Sequence, residues 1–237
     1  MCGDRIFPAT LGIDDPGVGD ELALPTLTYL PHNSDGSQEF DASFSYTKTI
    51  FPGFGLSVSD GPTWLRPGGY GWGDVDTEAK YNFLCVPGWE FMASAGLDMT
   101  WAHIGTPNMT KPYNTYTPVL DMGLGFGSLP KSLNILRPFA VTAELSETIP
   151  GEAWSDGNQN PTSLNWGFAV QYSLPYYNSH VAEIDNDFFK HLISVTEFTF
   201  SNSASGRGVG VVGELHFFLD DIFPNSLGKP ISQWGQP

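Results

Sequence analysis

The chain has 237 residues, and 26 acidic against 10 basic side chains give it a formal charge of -16 and a pI near 4.3. That balance argues against a nucleic-acid binder, which needs a Lys/Arg surface to displace counterions from phosphates, and no apolar run of about 18 residues could form a spanning helix. Only 15% of residues are charged, against roughly 25% in an ordinary soluble domain, so the outside of this protein is expected not to face water everywhere.

Residues 1–38 carry Pro8, Pro16, Pro25 and Pro31 among Asp14, Asp15, Asp20 and Glu21, with neither a helical nor a strand period. They predict an irregular, acidic N-terminal segment, tucked into the rest of the fold or lying at its mouth. No secretory leader is read in this chain, since Met1 is followed almost directly by Asp4 and Arg5. Cys2 and Cys85 have neither metal-ligand spacing nor the density of a disulfide framework, and are expected to be two unpaired residues.

Alternation begins at Glu39: Phe40, Ala42, Phe44 and Tyr46 share one face, and Asp41, Ser43, Ser45, Thr47 and Thr49 the other. Pro52-Gly53 predicts a turn. Gly55 to Ser59 reads as a short strand, and the glycine-rich stretch to Gly73, bearing Trp64, Tyr70 and Trp72, as a long loop. Asp74 to Leu84 alternates cleanly. After a turn at Val86-Pro87-Gly88, Glu90 to Trp101 does so again, with Phe91, Ala93, Ala95, Leu97, Met99 and Trp101 opposite Glu90, Ser94, Asp98 and Thr100. Twelve such residues exceed the roughly five or six of a soluble strand and match the roughly nine to eleven that a tilted strand needs to cross a bilayer.

Further strands are predicted near Thr115 to Phe126, Ile135 to Leu145, Leu164 to Leu174, Leu192 to Phe200 and Val209 to Leu219. Gly123, Gly125 and Gly127 line the polar face of the first of these, leaving room for a neighbouring side chain. Residues 102–114 and 146–161 read as loops, and Asn178 to Lys190 has a short helical period. The sum predicts an all-β fold, an antiparallel up-and-down transmembrane β-barrel of roughly eight to twelve strands over residues 39–219, followed by a C-terminal tail at 220–237.

In a barrel, the polar set Asp41, Asp74, Asp76, Glu78, Lys80, Glu90, Asp98, Glu144 and Gln171 would line the lumen, where an acid excess favours cations. Trp72, Trp89, Trp101, Tyr116, Trp166 and Tyr172 fall near strand ends and read as a membrane girdle, with lipid as partner. The five histidines are scattered, no G-x-S-x-G is present and no D-x-D-x-D-G calcium loop occurs. No catalytic residue, metal site or cofactor is therefore expected, and the protein is read as non-enzymatic.

The segment Gly71-Trp72-Gly73-Asp74-Val75-Asp76-Thr77-Glu78-Ala79-Lys80-Tyr81-Asn82-Phe83-Leu84, with Glu90-Phe91 and Ser94-Ala95-Gly96-Leu97, resembles the hairpin of outer-membrane transporter barrels of the phenol-degradation meta-pathway type. The run from Gly206 to Pro230 looks like the C-terminal end of related outer-membrane proteins. The resemblance implies a barrel in the bacterial outer membrane and a porin-like or envelope role with passage of small hydrophobic or aromatic solutes; the chain is short for that family, as an incomplete copy would be. A soluble β-sandwich or lipocalin-like binding module is the other reading of the same alternation, with the apolar face turned inward.

Overall fold

A computed structural model describes residues 5–10, 12–31, 37–107, 109–155, 157–203 and 209–219; the tail at 220–237 lies outside the described residues. The chain folds as an antiparallel meander: β1 (Glu21–Leu30), β2 (Gln38–Phe51), β3 (Phe54–Asp60), β4 (Pro62–Arg66), β5 (Gly69–Trp72), β6 (Val75–Val86), β7 (Phe91–Trp101), β8 (Thr115–Gly125) and β9 (Phe139–Pro150) come first. A small hairpin, β10 (Trp154–Ser155) with β11 (Asn158–Gln159), precedes β12 (Ser163–Ser173), β13 (Leu192–Ser203) and β14 (Val209–Leu219). All but β10 and β11 belong to one twelve-stranded sheet.

Two pairs of these strands are single runs interrupted by glycine. β3 and β4 face β2 in one unbroken register, from Phe44 opposite Asp60 to Gln38 opposite Arg66. Gly61 joins them because a Cβ there would collide with the Ala42 carbonyl. On the far side β5 and β6 are likewise continuous, with Gly73 N–H donating to Gly61 O at 3.1 Å. The twelve segments thus form ten long runs. β1 and β14 stand at the two edges, and among the described residues no ladder joins them.

The sheet departs from the sequence reading in three places. It starts at Glu21 rather than Glu39; Leu24-Pro25 sits in a bulge of the edge strand β1, where a missing N–H is tolerated, and that proline conceals the period. The glycine-rich stretch before Asp74 is not a loop but the β4–β5 hairpin, with Trp64 packed on Tyr70. β9 begins four residues later than expected, after a 3-10 turn at Lys131–Leu136, and runs on to Pro150. Cys85 is disulfide-bonded rather than free. The helical period over 178–190 resolves into two short helices, α1 (Leu174–His180) and α2 (Asp187–Lys190).

The two faces of the sheet are distributed opposite to those of a soluble domain. Leu97, Met122, Leu124, Leu145, Trp166 and Phe198 stand exposed on one face, and Leu145 keeps 44% of its surface accessible. On the other face the polar residues Ser94, Asp121, Thr142, Gln171 and Glu197 are buried. What buries them is the segment 5–20, which runs across this polar face. Gly12 bonds Glu197 on β13, and Asp20 bonds Thr49 on β2. One cavity is lined jointly by side chains of β1, β2, β3, β6, β7, β8 and β9, so the sheet is curved with its polar face concave.

Candidate functional site

The concave face divides into a filled half and an open half. β1 begins and β14 ends at the same rim, which also carries the Pro52-Gly53 turn and the helices α1 and α2. The segment 5–20 occupies the half nearest this rim. Arg5, 1% exposed, donates to Glu90 Oε2 from Nε (2.9 Å) and Nη2 (2.8 Å), and to the carbonyls of Arg137 and Pro138. Its guanidinium also lies 3.9 Å from the centre of the Tyr176 ring. Glu90 in turn accepts from Tyr176 Oη at 2.9 Å and from Gly127 N at 3.0 Å, so every charge of this buried set is matched.

Farther in, Phe7 packs on Met92 and Ala140, and Ile13 on Ala169, Ile193 and Val195. Glycines make the sockets: a Cβ at Gly123 would stand 2.9 Å from Pro16 and 3.0 Å from Phe7, and one at Gly167 would stand 2.6 Å from Ile13. The open space that the glycine row predicts on β8 is therefore filled by the N-terminal segment. Gln171 donates to Ile6 O at 2.9 Å and Asn82 to Pro16 O at 3.0 Å, while Glu197 accepts from Thr10 Oγ1 and Gly12 N.

At mid-depth Lys80 is the hub. It pairs with Asp14 of the segment, with Asp121 on β8 at 3.2 Å and with Glu78 at 3.2 Å, and it donates to Asp15 O. Glu144 receives the Asp14 N–H at 3.2 Å. Beyond this level the concave face is open, a cavity of about 880 Å³ lined largely by hydroxyls such as Ser45, Thr47, Ser57, Ser59, Thr100 and Thr115. Asp14, Glu21, Asp76, Glu78 and Asp98 bring five carboxylates to its wall, and Lys111 the single ammonium. A smaller adjoining cavity of about 250 Å³ adds Asp41, Asp60 and Asp74 at the outer rim.

Of the residues singled out from the sequence, Asp76, Glu78, Lys80, Asp98, Glu144 and Gln171 lie on the concave face as the alternation requires, with Asp41 and Asp74 at its rim. Asp74 precedes β6 and accepts the Lys111 N–H at 2.6 Å. Glu90 is a correction. It is not the first residue of a strand but a left-handed residue (φ 49°) closing a 3-10 turn at Pro87–Trp89, which swings its carboxylate inward to Arg5. The sequence reading missed Arg5, Asp121 and Glu197. The last two sit in the inward phase of β8 and β13 and were readable there; Arg5, reaching Glu90 across 85 residues, left no local signal.

Among the predicted aromatics, Trp89 and Tyr172 mark the rim where β1 begins and β14 ends, Tyr172 edge-on to Phe139 at 4.7 Å. Trp72, Trp101, Tyr116 and Trp166 mark the opposite side, with Trp166 stacked on Phe200 at 4.0 Å and Trp101 Nε1 donating to Thr77 at 2.8 Å.

Two titrating groups of the segment lie outside the strands. Burial pushes the Asp15 carboxyl up to about 6, and the neighbouring Asp14 adds to the rise. A hydrogen bond from Lys48, helped by the Thr49 N–H, holds Asp20 down to about 2. Asp15 therefore stabilises the seated segment fully below its ordinary 3.8, and that contribution is lost as pH rises through about 6. Asp20 contributes above 3.8 and loses its share only as pH falls through about 2. Between pH 4 and 6 the Asp15 contribution falls while that of Asp20 is steady. Asp15→Asn is expected to flatten the pH dependence of segment docking in that window, measured as protease cleavage of residues 5–20 against pH; an unchanged slope would place the titration elsewhere.

No protein-family model matches the chain, and no curated protein is significantly similar to it.

Proposed function

We propose that this chain is a β-barrel of the bacterial outer membrane that admits small hydrophilic solutes passively, cations ahead of anions, and catalyses nothing. The observation that carries the reading is the inversion of the two faces: buried Asp, Glu, Gln, Ser and Thr on the concave side, exposed Leu, Phe and Trp on the convex side. In water such an apolar surface is an aggregation hazard; in lipid it is the solvated face. The alternative of a soluble sandwich or lipocalin-like module requires the reverse.

The dimensions agree. The eleven residues of β7, Phe91–Trp101, rise in ten steps by about 34 Å along the strand, or about 24 Å of depth at a tilt near 45°, against an apolar band about 25 Å tall in such barrels. Aromatic side chains stand at both ends of that span. β1 begins and β14 ends on one rim; read as the periplasmic side, it leaves the β10–β11 hairpin and the connection after β7 facing the outside of the cell.

The chemistry of the cavity favours hydrogen-bonding solutes over the hydrophobic or aromatic ones that the family resemblance implies, because hydroxyls and carboxylates line it and no aromatic ring does. The folded protein, extracted in detergent, is expected to migrate differently on a gel before and after boiling. Full solubility without detergent, with unchanged mobility, would sink the barrel. Liposome swelling should then rank a small amine above a carboxylate of equal size; the reverse order would remove the cation preference.

A further inference from the structure

We infer that residues 5–20 form a detachable stopper that closes the lumen from the rim where β1 begins and β14 ends, so that the barrel conducts only when this segment leaves its seat. The inference rests on the barrel reading and adds a gate to it.

Three features point to a stopper rather than to permanent filling. First, the segment covers the wall of β7, β8, β12 and β13: Ser94, Asp121, Gln171 and Glu197 are at most 3% exposed, whereas the cavity of about 880 Å³ begins just beyond Lys80. Second, apart from Arg5, held by Glu90 and the carbonyls of Arg137 and Pro138, and Asp20, which accepts from the Thr49 N–H, the hydrogen bonds from the segment to the concave wall run through side chains of the barrel: Gln171, Glu197, Asn82, Lys80 and Glu144. Releasing them breaks no rung of the sheet. Third, the seat is preformed. Gly123 and Gly167 leave hollows that match Phe7 and Ile13, each against a small apolar patch in an otherwise polar wall. A polar lumen offers water to every group the segment would vacate, so undocking exchanges protein hydrogen bonds for hydrated ones at modest cost.

The test compares the full-length wild type with the double variant Phe7→Ala/Ile13→Ala in planar bilayers, using potassium chloride as the probe. Both substitutions lie on the stopper, so the strands keep their sequence, and the mobility shift on boiling reports that the barrel is intact. Wild type is expected to dwell mostly in a closed state and the variant to open at least about tenfold more often, since two buried anchors outweigh a tenfold preference for docking. Accelerated protease cleavage within residues 5–20 should accompany the opening. Equal conductance in the two proteins, each with an intact barrel, would overturn the stopper while sparing the barrel. A variant that stays closed although its segment is cleaved would overturn it too. Absence of both bilayer insertion and a mobility shift would remove the barrel and the gate together.

Discussion

On the proposed barrel, Leu145→Arg is expected to destabilise the folded protein in lipid vesicles by about 2–4 kcal/mol, the cost of a cation on a lipid face near the bilayer midplane. Leu145 lies in the middle of β9, opposite Trp166 on β12 and Leu120 on β8, and is 44% exposed on the convex face. At the same exposure on a soluble protein the change would be close to neutral. One substitution thus separates the two environments, with urea unfolding from vesicles as the readout. A control at the strand end, Ile149→Arg, also exposed, should cost clearly less, because the penalty falls toward the interface. Equal, negligible effects at both positions would mean that the convex face meets water.

Lys80→Met is expected to cost about 3–5 kcal/mol, the usual consequence of removing one partner from a buried ion set. Asp121 is fully buried, and its Oδ2 depends on Lys80 at 3.2 Å and on a longer contact with Ser94 at 3.4 Å. Without the ammonium, the fully buried Asp121 is left uncompensated and repelled by Asp14 and Glu78, which stand on the wall of the open cavity. Adding Asp121→Asn to Lys80→Met should recover a substantial part of the loss, since the orphaned charge is then gone; strictly additive losses in the double variant would show that the two groups do not act on each other. The measurement is a denaturation midpoint in detergent for the four proteins of the cycle.

The strands of this fold were legible where period-2 alternation was uninterrupted, as in β6, β7 and β12, and their phase put Asp76, Glu78, Asp98 and Gln171 on one face, which is the concave one. Punctuation misled elsewhere. Pro25 sits in a bulge and Gly61 at a close backbone approach, so β1 and the β4–β5 hairpin read as irregular although both belong to the sheet. The filled half of the site was hidden for a different reason. Its defining contacts join residues 5–16 to residues 82–197, and nothing local marks Phe7 or Ile13 as anchors rather than strays. The glycines on β8 were visible as missing volume, but their occupant could be found only in three dimensions.

The seating of the N-terminal segment has a consequence for how the chain assembles. Thr10 and Gly12 are bonded to Glu197, separations of 187 and 185 residues. Residues synthesised well before β13 therefore make their last partners only after that strand has formed, and contacts of such span are slow to close. A chain that curls its sheet without the segment inside would have to thread it in afterwards, whereas one that collapses around it carries its own mandrel. Folding is then expected to show a late phase that reports on β13, slowed by Glu197→Gln and absent from probes placed in β6 and β7.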